Sequence, residues 1–292
     1  MCRKNKSART AFARIGVAGL LGATLLLSGC GSPPKQQNAR IQQAIQSNQQ
    51  GEAAFYRGDY SRALIYFEEA LRIDQAIENI GGVGANRLNL ARTYIAMDDA
   101  AQARRHLDAL LKNPLVTYPA DQLAQAAALA STLYLAGGDV KAALELVEKG
   151  QAWCAGSCGA LPSLLLLRAQ IALRSGRPDE AIEHASNVLR RLDGNQKMEE
   201  KANALRVIGE ALLDKKNPAE SIARFEQALA LDREAGVPQK ISLDLMYLGQ
   251  ASNLVNKHAD ANAYFRRAAA VRTAAGDKSG AEIAVRNIEP KE

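Results

Sequence analysis

Side chains able to do chemistry are few and scattered along this 292-residue chain. Cys154 and Cys158 are separated by three residues in WCAGSCGALP. Outside the cytoplasm so close a pair is expected to oxidise to a disulfide, pinning the segment but closing only a short loop. Redox-exchange motifs place two residues between the cysteines, which disfavours exchange chemistry here. A structural metal site needs four ligands, and no histidine lies near the pair in sequence. Trp153, beside it, is expected to pack against the linker. His106, His184 and His258 lie far apart and read as partly exposed surface residues. Asp98 and Asp99 look like paired carboxylates, but they fall at a turn where Asp99 suits a helix cap. Glu68-Glu69 and Glu199-Glu200 are adjacent, so they occupy different parts of a helix surface. There is no H-E-x-x-H, no G-x-S-x-G and no glycine-rich phosphate loop. No catalytic residue, metal site or cofactor is therefore expected, and the chain does not read as an enzyme.

The elements around these residues repeat. Small residues fall at Gly51, Ala91, Ser131, Ala169, Gly209 and Gly249, in steps of 40, 40, 38, 40 and 40 residues. Twelve residues after each stands Ala63, Ala103, Ala143, Ala181, Ser221 or Ala261. Such a period means stacked supersecondary units. In GDYSRALIYFEEALRID, Ala63, Phe67, Ala70 and Leu71 make one apolar stripe at helical spacing. Asp59 can cap that helix, and Gly58 supplies the turn from the helix before it. Pro162, Pro178, Pro218 and Pro238 fall near helix starts, where a missing N–H costs little. The small residues let two helices cross closely. Phe67, Leu107, Val147, Phe225 and Phe265 are expected to fill the space between neighbouring units. Ala185 replaces them in the fourth unit, which should pack more loosely and could hinge near residues 190–201.

This pattern resembles the tetratricopeptide repeat over residues 41–273. The match rests on the small residue late in the first helix, the Ala early in the second, the large residue four on and the Ala after it (Ala70, Ala228, Ala268). The period of 40 is longer than the usual 34, and the proline that ends each unit is missing. The extra residues lie between units, as in the long-repeat branch of kinesin light chain and bacterial peptide-sensing regulators. The resemblance implies an all-α, right-handed α-solenoid of six helix pairs. A capping helix at about 279–287 is expected within 274–292.

The N-terminal region follows a separate logic. Arg3, Lys4, Lys6, Arg9 and Arg14 precede an apolar run from Ile15 to Leu27, too short for the ~20 residues of a membrane-spanning helix. Residues 1–29 read as a secretory signal peptide. Leu27-Ser28-Gly29-Cys30 resembles the lipobox of bacterial lipoproteins, which implies cleavage before Cys30 and lipidation of its thiol. More than one acyl chain would anchor the protein firmly. Gly31, rather than Asp, resembles lipoproteins sent to the outer membrane of Gram-negative cells. Residues 30–40, with GSPP after the cysteine, read as a tether. Removing 1–29 takes five Lys/Arg and no Asp/Glu, lowering the formal charge from +6 to +1. No basic block then remains to bind nucleic acid.

In tetratricopeptide arrays the first helix of each unit lines a concave groove. One residue after each small position stand Glu52, Arg92, Thr132, Gln170, Glu210 and Gln250, a polar column suited to the regular donors and acceptors of an extended peptide. Three residues before it stand Asn48, Leu88, Ala128, Leu166, Arg206 and Met246, a mixed column able to take side chains. Asn89 completes the candidate set. Arg92 and Arg206 are suited to paired hydrogen bonds with a carboxylate. The expected role is a lipid-anchored scaffold facing the periplasm that binds envelope proteins or peptides. It would serve peptidoglycan-hydrolase recruitment, secretin or pilus assembly, or outer-membrane protein or polysaccharide export. Self-association through an end unit is a further expected contact. The alternative is a lipid-anchored glycan or small-molecule binding protein, which would need a pocket with aromatic walls.

Overall fold

The computed structural model describes residues 39–113, 115–156, 158–192 and 197–288. The signal peptide, Cys30 and all but the end of the tether lie outside the described residues. Thirteen helices are described, forming six antiparallel pairs and a terminal helix. The pairs are α1 (Ala39–Tyr56) with α2 (Tyr60–Ala76), α3 (Ile80–Ala96) with α4 (Ala100–Leu111), and α5 (Ala120–Ala136) with α6 (Val140–Cys154). They continue with α7 (Leu161–Arg174) and α8 (Pro178–Arg191), α9 (Met198–Asp214) and α10 (Pro218–Ala235), and α11 (Pro238–Leu254) and α12 (His258–Ala274). The terminal helix α13 (Lys278–Arg286) buries Ala284 and joins the apolar cluster of the last pair. The architecture is an all-α repeat solenoid. Among the described residues no helix is long and apolar enough to cross a membrane.

Local chemistry sets the helix ends. Asp59, Asp99 and Asp139 cap α2, α4 and α6 by accepting the N–H of Arg62, Gln102 and Ala142. Pro162, Pro178, Pro218 and Pro238 occupy the first turns of α7, α8, α10 and α11. The turn inside every pair needs one left-handed residue, seven positions after the small one. Gly58, Gly138 and Gly176 supply it without steric cost, whereas Asp98, Lys216 and Asn256 adopt φ of 59°, 57° and 60°.

The small positions work as expected, but their principal partner lies within the pair. A methyl added to Gly51, Gly209 or Gly249 would stand 2.6, 2.5 or 2.4 Å from the ring of Phe67, Phe225 or Phe265, sixteen residues on in the same unit. Carbon atoms in ordinary contact stay ~3.5–4.0 Å apart. Each ring thus lies across its own glycine, and Phe67 also reaches Leu90 of the next pair. Where the small residue is larger, its partner is smaller: Ala91 with Leu107, Ser131 with Val147, Ala169 with Ala185.

The fourth unit is not loosely packed. Ala169, Ala181 and Ala185 are fully buried in a cluster completed by Leu165, Leu166, Val207 and Ile208. Neighbouring branched side chains occupy the space that a ring fills elsewhere. Of the proposed hinge, residues 193–196 lie outside the described residues.

Candidate functional site

The first helices α1, α3, α5, α7, α9 and α11 share one face, and four cavities follow it. A cavity of about 340 Å³ lies beside Ile45, Asn48 and Gln49, and one of about 70 Å³ beside Phe55, Tyr56 and Asn89. Next comes the largest, about 510 Å³, between α3, α5 and α7, then one of about 290 Å³ reaching α11. Glu52 borders the first and second, Arg92 the second and third, and Thr132 and Gln170 the third and fourth. The cavities therefore form one series.

The polar column supplies those shared borders. Glu52, Arg92 and Thr132 are exposed, and Gln170 and Glu210 are half-buried. Gln250 is exposed but borders none of these cavities. The second column behaves differently: Leu88, Ala128, Leu166 and Arg206 are buried, because that register turns toward the core. Met246 is half-buried and packs against the cluster around Phe225 rather than into a cavity. On α11 the cavity is met instead by Lys240, Leu243 and Tyr247.

Arg206 is the main departure from expectation. It is 4 % exposed. Its Nε donates to Asp244 Oδ1 at 2.7 Å, its Nη1 to Asn203 Oδ1 at 2.7 Å, and its Nη2 to Asp232 Oδ2. Three of its nitrogens are thus committed within the protein, so it ties α9 to α10 and α11 rather than presenting a free fork to a ligand.

Arg92 is differently placed. Its Nη1 donates to Asn89 Oδ1 at 3.1 Å and its Nη2 to Gln125 Oε1 at 2.7 Å, both neutral amides. Crowding disfavours its charged form, while Tyr56 and Glu52 favour it. Beneath it the largest cavity has an apolar floor that includes Ala128, Leu129, Leu166 and Leu167. A guanidinium beside an apolar hollow can hold a carboxylate while the hollow takes an apolar side chain. Further along, burial raises the pKa of Glu210, against a hydrogen bond from Tyr247 and the charges of Arg206 and Arg174. Burial, then Glu210, raises the pKa of Tyr247. The Tyr247 ring stacks on Phe225, centroids 4.9 Å apart, which locks its orientation.

Apart from Asn89, sequence reasoning missed two further columns. Six residues before each small position the cavities meet Ile45, Ala85, Gln125, Ser163, Asn203 and Leu243. Two residues before it they meet Gln49, Asn89, Leu129, Leu167, Val207 and Tyr247. With the polar column these positions follow the i, i+4, i+7 rule of one helix face, and extending that rule back from Glu52 or Arg92 would have found them.

Cys154 and Cys158 are joined as a disulfide, Cα atoms 5.1 Å apart, where α6 ends. Neither cysteine lines the cavity series, although Gly159 and Ala160 after Cys158 border its largest member. His106 is half-buried and stacks on Tyr94, centroids 5.6 Å apart. Among the described residues no group of three or more His, Cys, Asp or Glu is placed to hold a metal ion.

Tetratricopeptide-repeat family models match residues 161–234 and 48–77. A chain of the APC/C Cut9–Hcn1 hetero-tetramer is similar, with TM-score 0.66 and 15% identity, over 87% of this chain and 44% of that one. A Rap protein solved in complex with competence and sporulation factor gives TM-score 0.63 and 13% identity, over 85% and 70%. PilW, a type IV pilus biogenesis factor, gives TM-score 0.58 and 12% identity, over 83% and 98%. At these identities the likeness is one of fold. No curated protein sequence matches the chain.

Proposed function

We propose that this chain is a non-enzymic scaffold that binds an extended segment of a partner protein along its first-helix face. The carrying observation is the cavity series bordered by Glu52, Arg92, Thr132, Gln170 and Glu210. Regularly spaced polar groups over apolar hollows match a peptide backbone with side chains at intervals. The tetratricopeptide matches support a protein or peptide ligand over a small metabolite. The segment would place an apolar side chain in the cavity between α3, α5 and α7, with a carboxylate on Arg92.

The lipobox resemblance at Cys30 supports a lipid anchor, with the solenoid facing the periplasm from the outer membrane. In that setting the partners would be envelope proteins, with peptidoglycan-hydrolase recruitment and secretin or pilus assembly as the pathways of choice. PilW shares the fold and is named for pilus biogenesis, which motivates testing the second pathway.

The test is affinity capture from detergent-solubilised envelopes, comparing wild type with Arg92→Ala/Gln170→Ala. A defined envelope protein recovered by wild type and lost by the variant supports the reading. Equal recovery by both moves the site off this face. For the anchor, Cys30→Ser should abolish fractionation with membranes, and unchanged fractionation would refute lipidation there.

One observation favours the glycan or small-molecule reading. A cleft of about 230 Å³ between α4, α5 and α6 has Tyr134 and Trp153 in its walls and Asp108 and Glu145 at its rim. Trp153 is the sole tryptophan of the chain, so its fluorescence would respond to a sugar bound there.

A further inference from the structure

The first and fifth units carry polar junctions at one register, where most other units are apolar. In the first, Asn48 of α1, Asp74 of α2 and Asn86 of α3 meet. Asn48 Nδ2 donates to Asn86 Oδ1 at 2.6 Å, and Asn86 Nδ2 donates to Asp74 Oδ2 at 2.8 Å. The equivalent positions of the fifth unit hold Arg206 of α9, Asp232 of α10 and Asp244 of α11. The third unit puts Ala128, Cys154 and Leu164 there, all buried.

In the first junction Asp74 accepts from both Asn79 and Asn86, so both of its oxygens are satisfied. The Asn86 amide hydrogen-bonds the aspartate beside it, whereas an ionised Asp244 has no hydrogen to offer Asp232. Both aspartates are 0 % exposed. Arg206 satisfies one oxygen of each, and Asp232 Oδ1 and Asp244 Oδ2 are left buried without a partner. Two carboxylates against one guanidinium would also leave a buried negative charge, which is costly.

We propose that Asp244 keeps a proton up to near-neutral pH and donates it from Oδ2 to Asp232 Oδ1, making the α9–α10–α11 junction a proton-linked contact. One proton removes the excess charge and supplies the missing donor. It reproduces with a carboxyl group the bond that Asn86 makes with an amide. Both carboxyl groups are held by the same guanidinium, and a hydrogen bond with Asp232 is among the influences that raise Asp244. Burial pushes Asp244 up to about 7, Arg206 opposing and Asp232 reinforcing the shift.

The other charged groups nearby are on the same elements and the next helix. Lys240 donates to Asn203, feels Arg206, Glu199 and both aspartates, and borders the cavity with Arg206 and Glu210. On α12, Arg272 donates to Ser242 and pairs with Asp277. Losing the proton would add a buried negative charge at that end of the groove, met by Arg206 and by Lys240.

A carboxyl raised above its unfolded value of ~3.9 binds more protons folded than unfolded, so its contribution to stability is full below about pH 4 and is lost as pH rises to about 7. Asp244→Asn can keep the acceptor for Arg206 and donate permanently to Asp232. Equilibrium unfolding of wild type and variant should diverge with pH. The variant should gain up to about tenfold in folding constant, relative to wild type, for each pH unit between 4 and 7. A wild-type-to-variant ratio independent of pH would overturn the proposal. Should the variant fail to fold, difference infrared spectroscopy on Asp74→Asn/Glu210→Gln, which removes the other two raised carboxyls along the groove, decides it. A buried carboxylic-acid band lost between pH 5 and 8 supports the proton on Asp244, and no such band refutes it.

Discussion

Replacing Gly209 by alanine tests whether the ring across each small position sets the spacing of a helix pair. The added methyl would stand 2.5, 2.8 and 2.8 Å from three ring atoms of Phe225, which is fully buried and stacked on Tyr247. Relief requires moving a ring held on two faces, or spreading α9 from α10. Overpacking of this kind costs about 1–3 kcal/mol, and the contacts here favour the upper end. Alanine returns about 1 kcal/mol through its better helix propensity. The net expectation is a loss of about 2 kcal/mol. Phe225→Leu alone empties space beside a glycine and should cost about 1–2 kcal/mol, below the range for truncation to alanine. Together the two substitutions recreate the Ala91–Leu107 pairing of the second unit. The double variant should then lose only about 1 kcal/mol, a favourable coupling of about 2–3 kcal/mol. Urea unfolding of the four proteins at one pH gives the cycle directly. A neutral or stabilising Gly209→Ala, with additive effects in the double variant, would refute the reasoning. It would mean that helix propensity, not the ring, governs these positions.

Arg206→Leu should destabilise the protein by about 3–5 kcal/mol, because it strands the two buried carboxyl groups that share it, whereas Arg92→Ala should change stability by less than about 1 kcal/mol; thermal unfolding of both separates the structural arginine from the groove arginine. Burial, then Arg87 and Arg105, holds His106 down to about 4. Its unfolded value is near 6.5, so stability should fall as pH drops from about 6.5 to 4, and His106→Gln should remove that part of the pH profile. Lys216→Gly should stabilise the protein by about 1 kcal/mol by relieving a left-handed lysine at φ 57°, read as a raised unfolding midpoint.

The repeat and its helix ends were legible in the sequence because they depend on local chemistry. A 40-residue step of small residues, aspartates at α2, α4 and α6, and prolines at α7, α8, α10 and α11 act within a few residues of where they stand. The polar column from Glu52 to Glu210 was legible for the same reason, since one helix face follows from spacing alone. Which neighbouring column meets solvent was not, because it depends on how far each first helix is rotated against its partners. Three positions before the small residue turn inward, so Leu88 and Arg206 are buried and Leu166 shows only an edge in the floor of the largest cavity. The fate of Arg206 illustrates the limit most clearly. Its sequence context says only that a cation sits on a helix face. Asp232 and Asp244, 26 and 38 residues away, reach it only when three helices stack. Burial then turns an apparent ligand-binding arginine into a structural tie and leaves two carboxylate oxygens in want of a proton. Spacing along the chain therefore determined the helices and their faces, while tertiary packing alone decided which charges are desolvated, because desolvation depends on every element around a group and not on its own helix.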